Sequence, residues 1–389
     1  MPRKSPTLHL IGPGSLDRPT GGDRYDARMV TELRSRGWDV AVHGLEGEYP
    51  RTDGSAANAL DEVLAGLPDG ARALVDGLVL GGLPDPTARH SGRVRMVALV
   101  HHPLADETGL TPVERARLTE TERRALEAVD GVVVTSRHTA ERVREGFGVP
   151  RERIRVVQPG TDPAPIARGP GPDEPPGLLC LGSLIPRKGQ DVLVAALAEL
   201  RDLPWSLVCA GSITAAPAFA RKVRSSAHEA GIADRIRLPG TVSDETVNEL
   251  FDTSSLFVLP SRHEGYGMAL TEALARGLPI VTTTAGAIPE TVPADASLRI
   301  PPGDPDALAK ALASLLGPGG TERRRKLARA ARLHGTRLPT WDEAAAALAR
   351  AVVELTGAPG VEPGVEGGDE DPPSGAPSRE PREGGDPGS

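Results

Sequence analysis

The feature that most constrains this chain is an alternation of short apolar strands and helical segments that runs, stops and restarts. Leu8-His-Leu-Ile and Trp38 to His43 read as strands, with apolar residues at helical spacing from Tyr25 to Arg34 between them. Further strands are predicted at Ala73 to Leu80, Val94 to His101, Gly131 to Ser136 and Ile154 to Val157. Six prolines and three glycines then fall between Asp162 and Gly177, which reads as a linker. Beyond it strands are predicted at 177–181, 206–210, 236–238, 256–259 and 280–283, with helices between. Strands alternating with helices make parallel βαβ units with helices on both sheet faces. Runs such as Val132-Val-Val and Leu256-Phe-Val-Leu lack polar alternation, as strands buried on both faces do.

The fold class is therefore α/β, with two Rossmann-like doubly wound halves. The first is placed at residues 1–165 and the second at 174–335. Asp304 and Pro305 read as the cap and first position of a helix that stops at Gly317. Thr340 and Glu343 form a capping box before an Ala-rich helix over 340–357.

Composition matters mainly at the C-terminus. The chain of 389 residues has formal charge −8. Residues 358–389 hold eight Asp/Glu and two Arg, a net of −6, leaving −2 for the rest. That stretch also has eight Gly and seven Pro, so it reads as a disordered acidic tail outside both domains. A nearly neutral body with 3% aromatics argues against a nucleic-acid partner. No apolar run approaches 18 residues, so no membrane span is expected. The five or six apolar residues near the start are fewer than a secretory leader's apolar region needs, so the protein is expected in the cytosol, with peripheral membrane association left open. Cys180 and Cys209 lie in apolar strands and read as buried thiols. The basic residues are 40 Arg and only five Lys, a coding bias without functional meaning.

The chemistry concentrates in Pro260-Ser-Arg-His-Glu-Gly-Tyr-Gly-Met-Ala-Leu-Thr-Glu272. It reads strand, glycine loop, helix. Gly265 and Gly267 allow close backbone approach, and the first amides of the helix, from Tyr266 through Met268, Ala269 and Leu270, form an anion site suited to a diphosphate. Glu264 and Glu272 would repel phosphate. Their use is to accept hydrogen bonds from hydroxyls on either side of it, which describes a nucleotide sugar. A hydrolase acid pair is disfavoured, because eight helical residues span about 12 Å, beyond the usual carboxyl separation of roughly 5–9.5 Å. Arg187 and Lys188, at a helix start after a strand, suit a departing nucleoside diphosphate. Gly21 and Gly22, read as a glycine loop, would offer amides across the cleft. His101 ends a strand, with His102 as its rival, and Ser136-Arg137 ends another; such ends face the crevice of open α/β sheets. Asp304-Pro-Asp306 imitates a metal motif but reads as helix capping, and no metal ligand set is expected.

The Glu264-x7-Glu272 element resembles the signature of retaining GT-B glycosyltransferases of family 4 (group 1). Leu181-Gly-Ser-Leu-Ile-Pro-Arg-Lys-Gly-Gln-Asp191, Ile232-Ala-Asp-Arg-Ile-Arg-Leu-Pro-Gly240 and Ala285-Gly-Ala-Ile-Pro-Glu290 resemble other loops of that family, with Ala285 where a glycine is usual. Pro19-Thr-Gly-Gly-Asp-Arg24 and Ile154-Arg-Val-Val-Gln-Pro-Gly-Thr-Asp162 extend the resemblance into the first half. The resemblance implies transfer of a hexosyl group from a UDP- or GDP-linked sugar to a small-molecule, lipid or glycan acceptor, with retention and without a metal. It implies a front-face mechanism, donor-diphosphate contacts for Arg187 and Lys188, a donor-sugar contact for His101, and a C-terminal helix that crosses back onto the first domain. A phosphorylase or sugar-phosphate synthase of the same fold, and a non-catalytic nucleotide-sugar binder, are the alternatives.

Overall fold

The computed structural model describes residues 5–18, 20–47, 49–50 and 54–357; the acidic stretch 358–389 and Pro19 of the first glycine segment lie outside the described residues. Twelve strands are found among those described: β1 Thr7–Pro13, β2 Asp39–Leu45, β3 Arg72–Asp76, β4 Arg95–Val100, β5 Gly131–Val134, β6 Ile154–Val156, β7 Gly177–Leu181, β8 Ser206–Ala210, β9 Ile236–Gly240, β10 Leu256–Leu259, β11 Ile280–Thr283 and β12 Ser297–Ile300. They form two parallel six-stranded sheets, in the orders β2-β1-β3-β4-β5-β6 and β12-β11-β10-β7-β8-β9.

Each order reverses once, between β1 and β3 in the first sheet and between β7 and β10 in the second. At such switch points the loops leave the strand ends in opposite directions and open a crevice for ligands. Here the loops after β7 and β10 carry Arg187, Lys188 and Glu264, while on the first sheet Gly21 opens the helix after β1, Asp76 ends β3 and His101 follows β4.

The first sheet is buried on both faces. Met96, Ala98, Val132 and Val134 point into one core with Leu60, Leu80 and Leu126. Leu10, Leu74, Val97 and Leu99 point into the other, which Trp341, Leu348 and Val352 complete. The helix Trp341–Thr356 thus packs on the first sheet although it follows the second in sequence; its capping box on Thr340 and Glu343 is formed. The second domain closes around Phe257, Leu193, Leu270 and Leu312. Cys180 and Cys209 are register neighbours on β7 and β8, both buried and free.

Three readings of the sequence need correction. The strand expected over Ala73 to Leu80 ends at Asp76, whose carboxylate accepts the Leu78 amide at 2.6 Å and starts a one-turn helix Gly77–Leu80. Gly21 and Gly22 are not loop: they open the helix Gly21–Ser35, capped by the Thr20 side chain, which accepts from the Asp23 amide. The edge strand β12 was not anticipated, because Ser297 and Arg299 interrupt its apolar run.

Candidate active site

After β10 the chain turns through Pro260 to Gly267 and enters the helix Met268–Ala275. Gly267 caps it at φ +96°, a left-handed conformation costly to residues with a Cβ. The amides of Gly267, Met268 and Ala269 precede the first intrahelical bond, so the helix presents them at its positive end. The Leu270 amide already closes onto the Gly267 carbonyl at 2.9 Å and its side chain is core, so Leu270 positions the turn. Met268 packs against the core of the first domain, and the buried Tyr266 accepts at its carbonyl from Thr291 at 2.9 Å. Burial raises the Tyr266 hydroxyl above its usual range. Gly277, at φ +67°, ends the helix.

Glu264 is 4% exposed. Its carboxylate accepts from Lys188 Nζ at 2.7 and 3.0 Å and from Ser261 Oγ at 2.6 Å, with Arg187 Nη1 at 3.7 Å. Burial pushes this carboxyl up, but Lys188 and Arg187 together outweigh it and hold it below the usual carboxylate range. The backbone around it is fixed by glycine. A Cβ on Gly286 would lie 2.3 Å from the Glu264 carbonyl oxygen, which accepts from the Ala287 amide at 2.9 Å. Lys188 ends a one-turn segment, Pro186–Lys188, whose exit through Gly189 (φ +73°) brings the chain against the Pro260 carbonyl.

Glu272 is one turn into the helix, at the other side of the amides. Arg24 of the first domain reaches its carboxylate at 3.7 Å, and burial raises its pKa against the pull of Arg24 and Arg276. The two glutamates therefore bracket the helix end.

The first domain closes over this site. Arg187 reaches across to Glu107 at 3.2 Å, the His138 amide donates to Glu290 at 3.3 Å, and Thr161 donates to Thr271 at 3.0 Å. Burial opposes ionisation of Glu107, but His102 and Arg187 hold it down at about 2. A Cβ on Gly265 would lie 1.9 Å from the His101 carbonyl oxygen, so only glycine permits this approach. Ser136 is fully buried as the cap of Arg137–Phe147, and its partner Thr139 donates to the Gly265 carbonyl at 3.4 Å.

His101 lies on the opposite wall. Gly22 passes beneath its ring, where a Cβ would sit 3.3 Å from Cδ2, while nothing lies within 4 Å of the corresponding atom on Gly21. Nε2 of His101 is 3.4 Å from Asp26 and 3.8 Å from Asp76. Burial opposes its charge, but the Asp26 contact and the charges of Asp26, Asp76 and Asp23 prevail and lift it to about 8. His102 instead faces Glu107 at 3.5 Å, and burial lowers its pKa. Asp304 accepts the Ala307 amide at 2.9 Å, the capping geometry its sequence suggests. Among the described residues one group, Asp26, Asp76 and His101, has metal-ligand spacing, its ligand atoms lying within 4.8 Å of one another.

Sequence reasoning missed Ser261, Glu107, Asp26 and Asp76. Asp26 carried a usable signal: it occupies the apolar stripe of Tyr25, Met29, Val30 and Leu33, where a carboxylate is out of place.

Comparisons with known proteins bear on the family and the fold. The family model "Glycosyltransferase Family 4" matches residues 19–165 and "Glycosyl transferases group 1" matches 166–334. The chain is 32% identical over 251 residues to a D-inositol 3-phosphate glycosyltransferase of Xylanimonas cellulosilytica, covering 60% of this chain and 59% of that one. It is 32% identical over 254 residues to a GDP-mannose-dependent alpha-(1-6)-phosphatidylinositol monomannoside mannosyltransferase of Mycobacterium tuberculosis, covering 59% of this chain and 63% of that one. The matched region thus spans about three-fifths of the length of these relatives. In fold, a sucrose-phosphate synthase of Thermosynechococcus elongatus superposes with a TM-score of 0.76 at 20% identity, over 90% of this chain and 99% of that one. The lipopolysaccharide glycosyltransferase WaaG gives 0.69 at 19%, over 90% and 100%. Two domain models tiling residues 19–334, on paired parallel sheets of GT-B type, show that the chain belongs to the group 1, family 4 glycosyltransferases.

Proposed function

We propose that this protein transfers a hexosyl group from a nucleotide-diphospho-sugar to an acceptor hydroxyl or amine, with retention of anomeric configuration. The observation that carries the reading is the arrangement at the β7/β10 switch point: Lys188 and Arg187 beside the free end of Met268–Ala275, bracketed by Glu264 and Glu272.

The diphosphate docks on the amides of Gly267, Met268 and Ala269 and on the two cations. Lys188 then exchanges its bond to Glu264 for phosphate oxygen, which frees the Glu264 carboxylate to accept from sugar hydroxyls. Glu272 accepts from the ribose. As the glycosidic bond breaks, charge grows on the leaving phosphate, where fixed cations and amides stabilise it most. The leaving phosphate takes the acceptor proton on the same face that the acceptor attacks. His101 and the amides of Gly21 and Gly22 contact the sugar and acceptor from the first domain. Closure through Arg187–Glu107 and the Gly265–His101 contact excludes water, which protects the donor from hydrolysis.

A UDP- or GDP-linked donor is the reading supported by the 32% identity to a GDP-mannose-dependent enzyme, and the acceptor is a small molecule, lipid or glycan. No metal is assigned to the donor phosphates, since Arg187, Lys188 and the helix amides already supply positive charge there.

The test supplies GDP-mannose and UDP-glucose with a panel of polyol, lipid and glycan acceptors. Nucleoside diphosphate release that depends on acceptor, with an α-linked product by proton NMR, is the expected result. Donor binding without acceptor-dependent release would favour a non-catalytic binder, and turnover only with inorganic phosphate or a sugar phosphate would favour a phosphorylase or synthase.

A further inference from the structure

The first domain brings three titratable side chains together from three separate elements. Asp26 comes from the helix Gly21–Ser35, Asp76 from the end of β3, and His101 from the turn after β4. They meet at the carboxyl edge of the sheet, beside the β1/β3 switch point. Asp26 is 1% exposed and Asp76 4%. Both Asp26 oxygens, His101 Nε2 and the Tyr25 hydroxyl are buried without a hydrogen-bond partner. Two carboxylates buried this close together repel each other and lose their hydration, an arrangement that stability alone would not retain. Such clusters concentrate at functional sites.

We infer that Asp26 and Asp76 are positioning residues for His101: together they hold its imidazolium by Nε2 at the floor of the cleft, leaving the Nδ1 proton for the transferred sugar or its phosphate. The inference rests on the proposed role of His101 at the donor sugar. The ring is confined by more than charge. Tyr25 meets it edge-on, with ring centroids 5.2 Å apart at 79°, and Gly22 closes its other side. The distances of 3.4 and 3.8 Å exceed a good hydrogen bond, so the hold is Coulombic and allows the ring a small tilt. The other charged groups facing His101 are Asp23, itself paired with Arg18 at 2.6 Å, and His102, the next residue. From the second domain the Gly265 backbone packs on its carbonyl.

The carboxylates account for the charge. Burial alone would neutralise this imidazole, and the same carboxylates lift it to about 8. Burial and the neighbouring Asp26 charge raise Asp76 in turn to about 7, against the pull of the His101 charge. A neutral ring could place its single proton on either nitrogen. The imidazolium carries both, so Nε2 stays committed to the carboxylates while Nδ1 remains a donor.

The experiment follows the histidine resonances of isotopically labelled full-length protein through pH in wild type, Asp26→Asn and Asp76→Asn, with His101→Gln identifying the signal. It is paired with the pH profile of nucleoside diphosphate release from GDP-mannose or UDP-glucose. In wild type, His101 should titrate near pH 8. In Asp26→Asn the midpoint should fall by roughly one unit or more, and the alkaline limb of kcat should move with it. If both Asn variants leave the midpoint unchanged, the inference is overturned. If His101 does not titrate and elemental analysis finds one divalent metal per chain, it is also overturned, because the three ligands then hold a metal and the imidazole is neutral. If the midpoint shifts as expected but His101→Gln keeps full turnover, the charge coupling stands and the sugar-contact reading beneath it fails. An Asp26→Asn protein that does not fold leaves Asp76→Asn to decide.

Discussion

Removing Lys188 should leave Glu264 as a buried charge with too few partners. In the intact site Nζ lies 2.7 Å from the carboxylate, an attraction of about 6 kcal/mol at an effective dielectric of 20. Arg187 at 3.7 Å supplies about 4.5 kcal/mol by the same formula, and Ser261 donates one hydrogen bond. Both remain in Lys188→Ala, and water entering the vacated space offsets part of the loss. The net cost is therefore placed below the roughly 3–5 kcal/mol typical of stranding a buried charge, at about 2 kcal/mol. The second consequence is kinetic: one of two cations on the leaving phosphate is gone, worth about 10²–10³ in kcat. The double variant Lys188→Ala/Glu264→Gln separates the two effects. Removing the stranded charge should restore the melting temperature, while turnover stays low. Chemical denaturation and nucleoside diphosphate release on the four proteins of this cycle make the assay. If Lys188→Ala is as stable as wild type and turns donor over at the same rate, both the ion pair and its catalytic use are refuted.

Gly265→Ala should prevent domain closure, because the new methyl would lie 1.9 Å from the His101 carbonyl oxygen; a loss of at least about 10²-fold in turnover with an enlarged radius of gyration by small-angle scattering is expected. Glu272→Gln should raise the donor KM by about tenfold through a weakened ribose contact and change kcat little, which initial rates would show. Stability should fall as pH rises from 6.5 to 8.5. His101, raised to about 8, stabilises the fold fully below 6.5 and loses that contribution through its folded pKa. Buried Glu122, also raised to about 8, costs stability progressively as pH approaches 8, because below that only the unfolded chain carries its charge, and the cost levels off once the folded carboxyl ionises. The His101 share is on the order of 2 kcal/mol, read from urea midpoints at the two pH values. Deleting residues 358–389 should leave kcat and KM unchanged.

The βαβ alternation and the switch to a second domain were legible because both-face burial writes itself as unbroken apolar runs, as in Val132-Val-Val134. The loop around Glu264 was legible because glycines mark it: Gly267 meets a local demand, a positive φ, whereas the partner that Gly265 approaches, the His101 carbonyl, lies in the other domain and could not be read from the loop. What escaped was set by side chains meeting from distant elements. Nothing near Arg187 in sequence points to Glu107, 80 residues away, nor does anything near His101 point to Asp26. The overextended third strand shows the same limit at short range. Leu78-Val-Leu80 continues the apolar pattern of β3, and only the Asp76 carboxylate, by capping the Leu78 amide, turns the chain into a helix.

The central claim is that Arg187, Lys188 and the end of Met268–Ala275 hold a donor diphosphate while Glu264 reads its sugar. Melting curves with UDP, GDP, UDP-glucose and GDP-mannose, on wild type and Glu264→Gln, test it most directly. A free diphosphate should raise the melting temperature of both proteins alike, and the matching nucleotide sugar should raise it further in wild type only. No shift with any of the four, or an equal extra shift from the sugar in Glu264→Gln, would contradict the account.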